Sequence, residues 1–162
     1  HALWNRARFQ ERDLLGWASY AGIAELRRRL PGGSVKADAR ELFRRMAFNV
    51  LIGNTDDHGR NHGFLMNHTG DWSLAPAFDL NPNTDRADHV LNIDESDNRP
   101  SLATVIETSE WYVESKDRGR AIVAEVLNET RHWRRAAQTL KIARADIELT
   151  ATAFAESDFA HD

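Results

Sequence analysis

Asn54-Thr55-Asp56-Asp57-His58-Gly59-Arg60-Asn61-His62 lies between an apolar run ending at Leu51-Ile52-Gly53 and the apolar segment Gly63-Phe64-Leu65-Met66. Asn, Asp and Gly are ordinary turn residues whose side chains cap nearby amides, so composition alone makes this stretch a loop. Its flanks make it more than that. A polar loop held between two apolar elements has side chains on a rigid support. Working outward, Trp72-Ser73-Leu74-Ala75 is a second short apolar segment, separated from the first by the turn-rich Asn67-His68-Thr69-Gly70-Asp71. The pair predicts a β-hairpin. Pro76 ends it, and Ala77-Phe78-Asp79 follows.

On the N-terminal side, Leu42, Phe43, Met46, Ala47, Val50 and Leu51 form one apolar stripe at helical spacing. Asp38 and Glu41 have the spacing of a capping box at its start. Gly53 stands where a left-handed C-terminal cap belongs. An earlier helix is expected from about Tyr20 to Leu30, stopped by Pro31-Gly32-Gly33. Asn81 to Asp85 and Asp94 to Arg99 read as loops. Beyond them the chain is helical. Ser101 is expected to cap Leu102 to about Trp111, and Asp117 a long helix bearing Ile122, Val126, Thr130, Trp133 and Ala137. A last helix carries Ile147, Ala151 and Phe154. The expected fold is mainly α with one small β-hairpin.

Asn61 lies five positions after Asp56. Protein kinases place a catalytic aspartate and a magnesium-binding asparagine at this D-x-x-x-x-N offset. One carboxylate orients the substrate hydroxyl and accepts its proton, while a neutral oxygen nearby holds a metal on the phosphates. Asp79, after the hairpin, corresponds to the second metal-binding aspartate. Asn61 and Asp79 offer the oxygen donors that magnesium prefers. Asp57 could share the proton-accepting task, but adjacent carboxylates more often point in different directions, so Asp56 is favoured. Arg60 either meets a phosphate or faces solvent. His62, His68 and His89 read as structural or exposed, and Trp72 and Phe78 as packing residues.

The string Leu51 to Leu65 with Leu74 to Pro82 resembles the C-terminal subdomain of HipA-family kinases. Ser19-Tyr20, Leu91-Asn92-Ile93-Asp94-Glu95 and Trp133-Arg134 resemble it too, so the likeness runs from about Leu14 to Phe159. The resemblance implies the helical C-terminal lobe of a lipid-kinase-like protein kinase fold. It implies Asp56 as catalytic residue, Asn61 and Asp79 as magnesium ligands, and His58 as the histidine of D-x-H-x-x-N. His58 would organise the loop beside the bound nucleotide, or serve as a satisfied structural histidine; with Arg60 it completes the expected cofactor-binding set. Leu80 and Asn81 follow Asp79, so the Phe and Gly that follow this aspartate in ordinary protein kinases are absent. The implied cofactors are Mg2+ and ATP. The implied partners are a DNA-binding antitoxin and a protein substrate such as an aminoacyl-tRNA synthetase.

A kinase also needs a phosphate-covering loop and a strand lysine. The lysines are Lys36, Lys116 and Lys141, none in a strand pattern, and there is no G-x-x-x-x-G-K-[ST] loop. Residues 1–162 are therefore expected to form one C-terminal kinase subdomain. Its nucleotide-clamping N-terminal portion would be a further partner, and the chain alone would be inactive. The start at His1-Ala2-Leu3-Trp4-Asn5-Arg6 reads as mid-sequence and lacks a signal-peptide layout. With 41% hydrophobic and 28% charged residues, 162 residues suffice for a globular core. No cysteine is present, which excludes disulfides, thiolate metal sites and thiol nucleophiles. A net charge of −4 argues against direct nucleic-acid binding, and no apolar run is long enough for a membrane span. A cytoplasmic location is expected. Arg27-Arg28-Arg29, Arg44-Arg45 and Arg131 with Arg134-Arg135 read as solvated helix faces, or as docking surfaces for an acidic partner. Two other classes compete with the kinase: a non-catalytic binding module that docks an antitoxin or subunit, and a metal-dependent hydrolase using Asp56, Asp57, His58 and Asp79.

Overall fold

A computed structural model describes residues 19–84, 88–94 and 96–154. The stretch His1 to Arg6, together with Leu14, Asp85, Glu95 and Phe159, lies outside the described residues. Helices α1 (Tyr20–Arg29) and α2 (Val35–Leu51) come first. Strands β1 (Phe64–Met66) and β2 (Trp72–Leu74) follow, then α3 (Leu102–Glu107), α4 (Lys116–Thr130), α5 (Trp133–Thr139) and α6 (Arg144–Thr150). The expected combination of helices with one hairpin is what the described residues contain.

α2 is the axis of the fold. Leu42, Phe43, Met46, Ala47 and Val50 are almost wholly buried, with Tyr20 and Ile23 of α1 on one flank and Ile122 of α4 on the other. Its caps differ from expectation at one end only. Ser34, not Asp38, is the N-cap, its Oγ accepting from the Ala37 amide at 3.2 Å. Asp38 is drawn away by Arg27, 2.5 Å from it. At the other end Gly53 has φ +63°. The amide of Asn54 reaches the Asn49 carbonyl at 2.8 Å, and that of Gly53 reaches Val50 at 3.3 Å, the two bonds of a Schellman cap. A Cβ on Gly53 would also stand 2.6 Å from the Ala153 carbonyl oxygen.

The hairpin pairs Phe64 with Leu74, Leu65 with Ser73 and Met66 with Trp72. Phe64 enters the core while Leu65 and Met66 face out. Arg27, 2% exposed, ties the hairpin to the helices: its guanidinium donates to the carbonyls of Leu30, Gly32 and Trp72 at 3.1, 2.8 and 2.7 Å. Arg45 is likewise buried, donating to Ala75 and paired with Glu41. The reading of these clusters as solvated faces fails for Arg27 and Arg45; it holds for Arg28, Arg29, Arg131 and Arg135, which are exposed. Ser115, not Asp117, caps α4, and the helix stops at Thr130. Trp133 and Ala137 belong to the separate α5, with Trp133 stacked on Phe154 at 4.2 Å between ring centroids. Phe78 is 49% exposed, not a packing residue, because its segment leaves the hairpin for the surface.

Candidate active site

The Schellman cap turns the chain sharply out of α2, and the loop that follows divides its side chains between two sides. Asp56 is exposed; Asp57, its neighbour, is 1% exposed. A turn of 3-10 helix over Gly59–Asn61 then brings Asn61 back beside Asp56. Asp56, Asn61 and Asp79 line one polar cavity of about 230 Å³, together with Asn54, Asn81, Pro82, Asn83 and Thr84. The structure therefore unites the sequence-expected catalytic residue with both expected metal ligands. His58 and Arg60 are not among the residues lining this cavity. Arg60 is exposed, and His58 is half-buried with no hydrogen-bond partner for its Nδ1.

Asp79 has φ +58°, a left-handed conformation that Asp tolerates better than most side chains. Its Oδ1 accepts from Asn81 Nδ2 at 2.7 Å, and its carbonyl from Asn54 Nδ2 at 3.3 Å. Asn83 joins the two halves of the cavity, its amide bonding the Gly53 carbonyl at 3.1 Å and its Nδ2 the Thr55 hydroxyl at 3.0 Å.

Beneath the loop is a cluster that sequence reasoning missed. Asp57 Oδ2 accepts from Tyr20 Oη at 2.5 Å and from Asn49 Nδ2 at 2.8 Å. His62 Nε2 lies 3.1 and 2.9 Å from the two carboxylate oxygens. Asn49 also donates to Tyr20 Oη at 3.0 Å, and its Oδ1 accepts from Asn54 Nδ2 at 3.1 Å. Burial works against ionisation of Asp57, but the hydrogen bond and attraction of His62, then the bonds from Tyr20 and Asn49, outweigh it and hold the carboxyl below its ordinary range. Burial, then the Asp57 charge, pushes the Tyr20 hydroxyl well up, so it stays a donor. His89 is buried nearby, and burial lowers its pKa, which favours the neutral ring. A signal for this cluster was present in the sequence: Asn49 is a polar residue on the apolar side of α2.

The donor chemistry suits a hard cation. Asn61 and Asp79 bring an amide and a carboxylate oxygen, and among the described residues no histidine lines the cavity. Among the described residues, no group of three or more His, Asp or Glu is placed to hold a metal through protein ligands alone. Magnesium meets such sites by keeping water and phosphate ligands. A larger groove of about 630 Å³ runs between α2, α4 and α5, walled by Phe48, Val126, Trp133 and Phe154. Its wall is mainly apolar, although Glu41, Glu125 and Glu129 also line it, so the smaller, polar cavity is the candidate site.

A mainly helical domain that carries an Asp/Asn loop after a buried helix, and a second aspartate beyond a hairpin, is the class defined by this geometry. Residues 2–154 match the family described as the HipA-like C-terminal domain, and the chain belongs to that family. Among solved structures it is similar to a chain of the HipA, HipB and operator DNA complex of a Shewanella oneidensis MR-1 toxin–antitoxin system. The identity is 16% and the TM-score 0.68, over 86% of this chain. At that identity the likeness carries the fold. This chain spans 35% of that one, about a third of its length. No curated protein matched it. Among the described residues no helix is long and apolar enough to cross a membrane.

Proposed function

We propose that this domain is the catalytic and magnesium-binding part of a HipA-like serine/threonine protein kinase, transferring phosphate from ATP to a protein hydroxyl. The observation that carries the reading is the meeting of Asp56, Asn61 and Asp79 at one polar cavity. Exposed Asp56 would orient the acceptor hydroxyl and take its proton. The side-chain oxygens of Asn61 and Asp79 would hold the magnesium ion. Magnesium, when bound, would neutralise charge on the nucleotide phosphates. Polar Asn54 and Asn81 would hold the loop and Asp79 in place around them. The remaining nucleotide contacts would come from an N-terminal portion of the same protein. A toxin–antitoxin setting, a DNA-binding antitoxin, an aminoacyl-tRNA synthetase as substrate and a cytoplasmic location belong to this reading.

The hydrolase alternative loses support because Asp57 points into the protein, hydrogen-bonded on both oxygens. A binding module keeps some, from the apolar groove beside α4. Magnesium-dependent nucleotide binding separates it from the kinase. The deciding experiment is Asp56→Asn in the full-length protein. Single-turnover transfer should fall by roughly a hundredfold or more, the scale of a lost general base, with melting temperature and nucleotide affinity nearly unchanged. A less stable but fully active variant would remove Asp56 from catalysis.

A further inference from the structure

Each of the two loop residues of the proposed site is followed directly by one member of a buried pair. Asp56 precedes Asp57, and Asn61 precedes His62. The 3.1 and 2.9 Å contacts between Asp57 and His62 therefore close the loop at its base, one residue from each functional side chain. The closure is anchored to both long helices of the N-terminal half, through Tyr20 on α1 and Asn49 on α2. The same Asn49 accepts from Asn54, whose Nδ2 also reaches the Asp79 carbonyl. One connected set of buried polar groups thus touches the backbone of all three proposed site residues or of their neighbours. A buried polar set often adds no more stability than apolar residues of the same volume, but its directional bonds fix positions.

We infer that Tyr20, Asn49, Asp57 and His62 are positioning residues that set the separation of Asp56, Asn61 and Asp79. None of the four lines the cavity; they act through the residues that do. The inference rests on the kinase reading and adds to it four residues with no contact to substrate.

The test uses the full-length protein with magnesium-ATP and the hydroxyl-bearing substrate, or autophosphorylation where no substrate is in hand. His62→Leu removes the bond to Asp57, while His62→Gln keeps an N–H that can reach it. With melting temperature and circular dichroism establishing the folded fraction, His62→Leu should lower kcat per folded molecule by about ten- to a hundredfold, the scale of a small misplacement of reacting groups. His62→Gln should recover most of it, and KM for the protein substrate should change little in either. If His62→Leu does not fold, Tyr20→Phe, which removes one donor to Asp57 and keeps the ring, should show a smaller drop in kcat. Folded His62→Leu with wild-type kcat would overturn the inference. So would a His62→Gln no better than His62→Leu, or, where His62→Leu fails to fold, a Tyr20→Phe at wild-type kcat. In these cases a wild-type protein that transfers phosphate, and an Asp56→Asn variant that does not, would leave the kinase reading standing. A wild-type protein with no transfer would overturn both.

Discussion

The two halves of the cavity are built differently. Asp56 and Asn61 stand on a loop whose base is buried and bonded to two helices. Asp79 stands on an exposed segment, held by a 3.3 Å bond to its carbonyl and by its neighbour Asn81. One half stands directly on the buried cluster; the other is tied to it by fewer bonds. Rigid support is what a proton-accepting carboxylate needs, since misplacement by an ångström is expensive.

The contrast is sharpest at Asp57 and Asp79, and the largest effect is expected there. Asp57→Ala leaves the Tyr20 hydroxyl and His62 in the interior without the acceptor they share, and should cost about 3 kcal/mol or more in denaturant unfolding. Asp79→Asn should leave stability almost unchanged yet weaken magnesium-ATP binding in calorimetric titration of the full-length protein, because a charged oxygen ligand is lost. Equal destabilisation by the two would erase the distinction drawn between the halves.

Acidity should also act on the buried groups beneath and beside the loop. The ordinary pKa of His89 is 6.5, and burial lowers it in the fold. As pH falls below that value the unfolded chain binds the proton before the folded one, so stability present above about pH 6.5 is progressively lost below it. Asp57, held below its ordinary 3.8, adds a second loss at still lower pH. Tyr20 works in the opposite direction: raised above its ordinary 10.0, it costs stability as pH climbs past that point. Urea midpoints measured from pH 8 to 5 should decline, and His89→Phe should flatten that decline. A midpoint independent of pH in wild type would count against neutral, buried His89.

The smallest effect sharpens the comparison from the other side. Asp79 pays for φ +58° with local strain. Asp79→Gly should raise stability slightly, by about 0.5–1 kcal/mol, while abolishing magnesium-nucleotide binding. A loss of stability on that change would mean that the side chain anchors its segment.

The sequence displays the exposed chemistry better than its support. Asp56 and Asn61 are legible because their relation is local: five positions and one turn. The hairpin is legible for the same reason. Tyr20 and Asp57 are 37 residues apart, and no periodicity announces their meeting. The misplaced caps have a similar origin. Asp38 and Asp117 have suitable chemistry, but Ser34 and Ser115 lie just upstream, and a tertiary contact with Arg27 claims Asp38. The long helix expected through Ala137 breaks at Arg131-His132 although its apolar spacing continues, because periodicity does not register a change of axis.

The segment after the cavity has its own bearing on how the molecule assembles. The amide of Val90 reaches the Thr55 carbonyl at 3.0 Å, that of Leu91 reaches Asp57 at 3.2 Å, and that of Tyr20 reaches Asn92 at 3.2 Å. A strap arriving from far along the chain is thus bonded both to the loop and to the start of α1. Local helices close within microseconds, whereas contacts between distant segments first require the entropy of loop closure. The helices can therefore form early, while the loop reaches its working shape only when three separated segments converge. A newly made chain would carry its chemical groups well before it could use them.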